Sequence, residues 1–227
     1  MSEFFVLKPE EGVRFGTNWA FADILPPINR GTSKKCPVCD KGVSGLEWLP
    51  PRRVKLSRYK SAWWGDFVWG AGFSLLVSAH FKQVYEQENL KGITDFTEPV
   101  EILKAGTKKV ADLPGDPPIY HSIDIVWNGA NQDDAASKVI SKHPEQIRCS
   151  FCRVGRGLLS QSGIVIEEGS WTGADIFTPR GGPVRIMVSK RFKEIAEAYD
   201  LKNTWFIPAE KYAYDETRPG LWYINDK

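Results

Sequence analysis

The chain has 227 residues, of which 42% are hydrophobic and 26% are charged. Its 12 Phe, nine Trp and seven Tyr exclude an intrinsically disordered protein, because such a chain buries enough apolar surface to offset the entropy cost of ordering. The formal net charge of +2 provides no global field that would recruit nucleic acid or a membrane surface. The length suits one large domain or two small fused ones.

The N-terminal segment and the longest uncharged run both argue against export and membrane insertion. Residues 1–11 contain no basic region followed by an apolar stretch, so we expect no secretory signal. The uncharged run from Phe67 to Phe81 has 15 residues, whereas a membrane span needs about 20 predominantly apolar ones. We therefore predict a cytoplasmic protein without a membrane partner, in a compartment where thiols stay reduced.

All four cysteines lie in two CxxC pairs, which we call knuckles. Two intervening residues let both thiolates of a knuckle face one ion, and two knuckles complete the tetrahedral four-sulfur site that suits Zn2+. The 109 residues between the pairs exceed the spacing of a standard zinc ribbon, but loop-closure entropy tolerates such an insertion. A redox-active pair, two disulfides or plain buried cysteines are the alternatives. We predict one structural Zn2+ bound by Cys36, Cys39, Cys149 and Cys152.

A basic segment follows the first knuckle. Residues 52–60 interleave five cations with apolar side chains and precede Trp63 and Trp64. The alternation predicts a half-buried strand with a basic face. Cations beside aromatic rings are also typical of nucleic-acid binding, so a zinc-dependent nucleic-acid-binding protein is the alternative function. The weak net charge nevertheless makes nucleic acid an unexpected partner.

Residues 66–99 and 175–208 each predict a module of strand, helix and strand. An apolar strand, at Ser74–Val77 or Val184–Val188, is followed by a serine at the helix N-cap position, where its hydroxyl can accept from first-turn amides. The helices then present an apolar stripe to a core. The stripes comprise Phe81, Val84 and Tyr85 in the first module, and Phe192, Ile195, Ala196 and Tyr199 in the second.

The predicted helices end at residues that tolerate left-handed backbone. Gly92 and Asn203 are predicted at the C′ positions, and a short strand follows each of them, at Ile93–Phe96 and Trp205–Ile207, before a proline. Between the modules, residues 105–135 are rich in Gly, Pro and Asn. We predict that this stretch carries the crossing from one half to the other.

The two modules also resemble each other in sequence. Leu75–Gly92 aligns without gaps to Ile186–Asn203, and seven of the 18 positions are identical. We predict an α+β fold with two related halves that arose by internal duplication, each with a zinc knuckle, strands and one main helix. The first repeat with an N-terminal extension would span 1–112 (knuckle 36–39, module 66–99), and the second 113–227 (knuckle 149–152, module 175–208), as one compact unit.

The chain resembles the double-CXXCG paralogous family and a related immunity-domain family found beside polymorphic toxins. The resemblance lies in the two knuckles, about 110 residues apart, and in three runs of residues in the second half. The resemblance covers roughly residues 15 to 215. The family glycine that directly follows each knuckle is replaced by Asp40 and Arg153 in this chain. The three runs are Ala174–Phe177, Ile186–Lys193 and Leu201–Pro208.

This resemblance implies an immunity protein, or antitoxin, that binds and neutralises a cognate bacterial toxin by direct protein–protein contact. It implies no enzymatic activity. His80, His121 and His143 fall in no metal-binding spacing, and the acidic pairs at 133–134 and 167–168 are typical of solvated surface. A thiol oxidoreductase is the enzymatic alternative, which occupation of the cysteines by zinc would disfavour.

Overall fold

The protein is described by a computed structural model that covers residues 3–10, 21–57, 64–72, 74–113, 116–181 and 185–218. Within these residues the fold is mixed α+β, mostly sheet with two α-helices. The helices are α1 (Ala79–Gln87) and α2 (Lys190–Ala198). The strands are β1 (Phe4–Lys8), β2 (Phe21–Ile24), β3 (Asn29–Lys35), β4 (Gly42–Leu49), β5 (Arg53–Ser57), β6 (Phe67–Ala71), β7 (Ser74–Ser78), β8 (Ile93–Pro99), β9 (Glu101–Ala105), β10 (Lys108–Lys109), β11 (Tyr120–Ile125), β12 (Trp127–Asn131), β13 (Ile140–Ser141), β14 (Leu158–Ser162), β15 (Ile176–Arg180), β16 (Met187–Ser189), β17 (Trp205–Pro208) and β18 (Ala213–Asp215).

Two sheets share a common arrangement of five strands. The eight-stranded sheet has the order β10-β9-β5-β2-β6-β7-β11-β8, and the five-stranded sheet has the order β12-β15-β16-β1-β17. The last five strands of the first sheet (β2-β6-β7-β11-β8) correspond one by one to the five strands of the second (β12-β15-β16-β1-β17), and each neighbouring pair has the same relative direction. In both, one parallel pair (β2–β6 or β12–β15) is followed by three antiparallel pairs.

The first strand of each predicted repeat pairs with the module of the other. Strand β1 lies between β16 and β17, so that Phe5 is opposite both Val188 and Pro208. Strand β11 lies between β7 and β8, so that His121 is opposite both Val77 and Pro99. Neither sheet is therefore completed by residues of one predicted repeat alone.

The helices begin where the sequence predicts and end earlier. Ser78 Oγ accepts from Phe81 N at 3.0 Å, and Ser189 Oγ accepts from Phe192 N at 3.1 Å. The C′ residues, however, are Asn89 and Asp200, both at φ 51°, and not Gly92 and Asn203. Each is part of a Schellman motif, in which the following leucine donates to the carbonyl five residues earlier. Asn and Asp side chains tolerate this conformation and so end the helix three residues before the predicted positions.

The largest core cluster lies where the two modules meet. Phe81 of α1 and Phe192 of α2 are fully buried with ring centroids 6.0 Å apart, and Phe67 of β6 contacts both rings. The predicted stripes are buried at Phe81, Val84, Tyr85, Phe192 and Ala196. In the second stripe, Ile195 and Tyr199 are only partly buried, and the Tyr199 hydroxyl donates to Glu88 at 2.6 Å.

Two further sequence predictions need correction. Val184 of the strand predicted at Val184–Val188 lies outside the described residues, and the strand itself begins at Met187. The turn-rich stretch 105–135 contains two full strands, β11 and β12, and is more than a crossing. Strand β11 was missed because polar and apolar residues alternate in it only over 122–125, and burial does not follow that pattern: Tyr120, His121, Ser122 and Ile123 are all buried.

Candidate metal centre

The first knuckle is a tight loop between β3 and β4. Cys36 follows the last residue of β3, its amide donates to Lys41 O at 2.8 Å, and its carbonyl accepts from Asp40 N at 3.0 Å. Asp40 has a φ of 59°, which is the left-handed region. The loop therefore turns back on itself within six residues and aims both sulfurs to one side.

The second knuckle, between β13 and β14, repeats this geometry. The Cys149 carbonyl accepts from Arg153 N at 2.9 Å, and Arg153 has a φ of 58°. Asp40 and Arg153, which directly follow the two knuckles, thus both adopt a backbone conformation that glycine favours. For Arg153 this conformation costs on the order of 1 kcal/mol. Its guanidinium is held by Glu167 and by the Gln132 carbonyl, each at 2.7 Å.

The fold brings the four predicted cysteines together, although 109 residues separate the knuckles. All four Sγ atoms lie within 4.8 Å of one another, with Cys36 to Cys149 at 3.9 Å and Cys39 to Cys152 at 3.6 Å. A disulfide needs about 2.05 Å, so the thiols are not bonded to each other. Tetrahedral zinc with Zn–S bonds of about 2.3 Å implies sulfurs about 3.8 Å apart, which the two measured distances bracket. The cysteines could therefore hold a metal ion such as zinc.

The electrostatics of the cluster prepare it for a cation. Val38 N and Val154 N each lie 3.4 Å from a sulfur, Cys36 Sγ and Cys152 Sγ respectively. Backbone hydrogen bonds from Cys152 and Phe151 lower the pKa of Cys149 to about 6, whereas burial raises the pKa of Cys152 to about 12. Cys149 is thus largely ionised at neutral pH, and a bound cation would favour the thiolate form of the other cysteines.

An open cavity of about 380 Å³ adjoins the cluster at Cys149. Two ion pairs line it, Arg148 with Asp134 and Arg153 with Glu167. The hydrogen bond from Arg153 lowers the pKa of Glu167. The acidic pairs at 133–134 and 167–168 are consequently not mere solvated surface, because one carboxylate of each pair binds an arginine that flanks the second knuckle.

Sequence reasoning missed an Asp–Ser–His cluster in the first module, in which Asp66 and Ser78 are buried and His80 is half-exposed. Asp66 accepts from Ser78 Oγ at 2.5 Å and lies 3.0 Å from His80 Nδ1. The residue types resemble a catalytic triad, but the serine bonds the carboxylate directly and caps α1. The second module has the same contacts to Asp175, from Ser189 at 2.9 Å and from Arg191 at 3.0 Å. In both modules the serine donates to the aspartate and accepts from a first-turn amide, so each cluster orders the start of a helix.

The basic segment forms β5 as predicted, with Val54 and Leu56 buried and Arg53 and Lys55 half-buried. Two of its cations have protein partners: Arg53 pairs with Glu101 at 2.7 Å, and Arg52 donates to the Trp48 carbonyl at 2.7 Å. Residues 58–63 of this segment, with Trp63, lie outside the described residues. Trp64 is half-buried against the core of the first sheet.

In comparisons with known proteins, the sequence matches no family model and no curated protein. Among the described residues, neither α-helix is long and apolar enough to cross a membrane. The four-cysteine cluster is the sole group of three or more Cys, His, Asp or Glu side chains in those residues that could hold a metal ion.

Proposed function

We propose that the four cysteines bind one structural Zn2+ that joins the two halves of the chain. The sulfur–sulfur distances of 3.6 and 3.9 Å carry this proposal, because they fit the edges of a tetrahedral zinc–thiolate site. Four protein sulfurs leave no open position for a substrate or water, which is typical of structural sites and not of catalytic ones. Metal binding energy would then contribute directly to folding.

Metal analysis of the purified protein tests the site. We expect one zinc per chain, and four reactive thiols only after a chelator has removed the metal. A zinc-to-protein ratio near zero in a folded protein with four free thiols would contradict the proposal. Two disulfides would instead appear as an absence of reactive thiols before reduction.

We infer that the two halves arose by duplication. The equal order and direction of five strands, the equal N-caps at Ser78 and Ser189, and the equal contacts to Asp66 and Asp175 support this inference. A zinc bound between equivalent points of two halves would fix their relative orientation.

We propose that the protein is an immunity protein, which binds a cognate bacterial toxin stoichiometrically and neutralises it without turnover. The resemblance to immunity proteins in the two knuckles and the second module supports this function. A closed, structural metal site agrees with a binding role, since the ion stabilises a surface and takes part in no reaction.

Co-expression tests the immunity function. The toxin-like C-terminal domain encoded by the neighbouring gene is produced in bacterial cells with this chain, or with an unrelated protein as control. We expect cell death with the control and normal growth with this chain. Failure of the chain to protect against any toxin encoded beside it would contradict the function, whatever the metal content.

A further inference from the structure

The two knuckles differ in how they are held to the rest of the fold. The first lies at the turn of the β3–β4 hairpin, which is a separate two-stranded sheet. Within the part of the chain that the structure describes, residues 36–41 form no ion pair and no hydrogen bond outside this hairpin, apart from contacts between cysteine sulfurs. The Asp40 carboxylate pairs with Lys35, at the end of β3, and both side chains are more than half exposed. The polar contacts of the first knuckle therefore come from its own hairpin and from the cysteines.

The second knuckle is tied to the five-stranded sheet by the side chain of Arg153. This residue directly follows the knuckle, and its amide donates to the Cys149 carbonyl at 2.9 Å. Its guanidinium donates from Nη1 to the Gln132 carbonyl, just after β12, and to Glu167, each at 2.7 Å. Glu167 is in turn bound to β12, because its amide donates to the Asn131 carbonyl at 2.9 Å and its carboxylate accepts from Asn131 Nδ2 at 3.0 Å. One side chain thus connects the turn of the knuckle to the end of a strand.

Two further arginines hold the backbone of the second knuckle. Arg148, which precedes the knuckle, donates from Nε to the Arg153 carbonyl at 2.5 Å and pairs with Asp134. Arg180, at the end of β15, donates from Nη1 to the Phe151 carbonyl at 3.4 Å, and its guanidinium lies 4.6 Å from the centroid of the Phe151 ring. The carbonyls of Phe151 and Arg153 are therefore both bound by guanidinium groups.

We propose that Arg153 is a positioning residue for the metal site, which holds Cys149 and Cys152 in the metal-binding arrangement before an ion is bound. This inference rests on the proposed zinc site. Its basis is that the Arg153 backbone adjoins one of these cysteines and bonds the other, while the Arg153 side chain is anchored to the sheet. Ligands that are already ordered lose less conformational entropy when they bind a cation, which increases affinity. Partners that orient metal ligands in this way typically contribute about ten- to a hundredfold to metal affinity.

An effect of position and an effect of charge make opposite predictions at Glu167. A cation near four thiolates also stabilises them electrostatically. If Arg153 acted through its charge, removal of the adjacent Glu167 carboxylate would make the surroundings of the thiolates more positive and raise the metal affinity. If Arg153 acts as an anchor, the same removal frees its side chain from β12 and lowers the metal affinity.

Metal titration of variants of the full chain tests this role. Co2+ is added to the metal-free protein and followed by the visible absorption of cobalt–thiolate bonds, and Zn2+ is then added to displace it. Arg153→Gly should weaken zinc binding about ten- to a hundredfold, although glycine relieves the backbone strain at a φ of 58°. Glu167→Ala should weaken zinc binding about tenfold.

The matched control is Asp40→Gly, at the equivalent position of the first knuckle. Asp40 has a φ of 59°, and its ion pair with Lys35 is exposed, so this substitution changes the backbone preference in the same way and removes no anchor. Asp40→Gly should bind zinc within about threefold of the wild type.

The outcomes separate this inference from the zinc site beneath it. If the wild type binds zinc and Glu167→Ala binds it equally well or more tightly, the anchor is overturned while the zinc site stands. Equal losses of affinity in Arg153→Gly and Asp40→Gly would overturn it as well. A contact that only stabilised the fold would lower the melting temperature of Glu167→Ala and leave its zinc affinity unchanged. Circular dichroism shows whether each variant is folded, and Glu167→Ala decides alone if Arg153→Gly does not fold. If the wild type binds neither metal, the zinc site fails and the inference fails with it.

Discussion

The two modules contact each other at two equivalent crossings. At one, the Asp66 and Phe67 amides donate to the Lys202 carbonyl at 3.1 and 3.3 Å, and Asp66 accepts from Lys202 N at 2.8 Å. At the other, the Asp175 and Ile176 amides donate to the Lys91 carbonyl at 2.7 and 3.0 Å, and Asp175 accepts from Lys91 N at 3.0 Å. Each module thus binds the loop after the helix of the other.

The crossings differ at the next residue. A Cβ on Gly92, which has a φ of 116°, would lie 1.8 Å from the Ile176 carbonyl oxygen. At the equivalent place Asn203 has a φ of 66°, and its side-chain amide donates to the Phe67 carbonyl at 2.7 Å. One carbonyl is approached by bare backbone and the other is bound by a side chain. Both crossings therefore have the same backbone hydrogen bonds, although the residue that follows is a glycine in one and an asparagine in the other.

Substitution of a single cysteine should have the largest effect, and it tests whether the two halves share one metal. Cys36→Ser and Cys149→Ser, on opposite knuckles, should each lose zinc and about 5 kcal/mol of unfolding free energy, because a shared site fails when either knuckle is incomplete. Metal analysis and denaturant unfolding measure both quantities. If one variant keeps stoichiometric zinc and wild-type stability, the knuckles do not contribute equally and the proposed zinc site is wrong.

The difference between the crossings predicts unequal effects of substitution. Gly92→Ala should lower the unfolding free energy by about 3 kcal/mol, because the methyl group would collide with the Ile176 backbone at a strained φ. Asn203→Gly should cost only about 1 kcal/mol. It removes the side-chain hydrogen bonds with the Phe67 carbonyl and the Glu10 amide, but it introduces no collision and places glycine at a φ of 66°, which glycine favours. Denaturant unfolding measures the stability of both variants. Equal losses of unfolding free energy would show that the close approach of Gly92 to the Ile176 backbone does not make the two crossings energetically different.

The aspartates should be equally important in both modules. Asp66→Ala and Asp175→Ala should each lower the unfolding free energy by about 2 kcal/mol, because each leaves a lysine amide and an N-cap hydroxyl without the carboxylate they now bind. His80→Ala serves as the control, because its side chain is half-exposed and its loss should cost at most about 1 kcal/mol. A neutral effect of either aspartate substitution would contradict the equivalence.

The smallest expected effect concerns the helix starts. Ser78→Ala and Ser189→Ala should each lower the unfolding free energy by about 1 kcal/mol, the usual contribution of an N-cap. The two losses should be similar because each hydroxyl accepts from the amide three residues later. Thermal or denaturant unfolding measures the change. A clear loss in one module only would show that the two caps are not energetically equivalent.

Much of each module could be predicted from the sequence because its determinants are local. The serine caps, the buried positions of the helical stripes and the alternation in β5 depend on residues within a few positions of each other. The grouping of the four cysteines was also predicted from residue type, because two CxxC pairs together offer the four thiolates of a tetrahedral site. Local errors arose where residue types compete, as when Asn89 and Asp200 ended the helices before Gly92 and Asn203.

The sequence by itself determined the two modules and the residues that meet in the cysteine cluster. Only the tertiary structure decided that β1 and β11 each enter the sheet of the other half, and that Asp66 and Asp175 bind the opposite loops. The physical reason is that strand pairing and backbone hydrogen bonds between distant segments depend on which surfaces pack together. Strand β11, in which His121 and Ser122 are buried, is an example: its sequence does not indicate which strands it pairs with in the folded sheet.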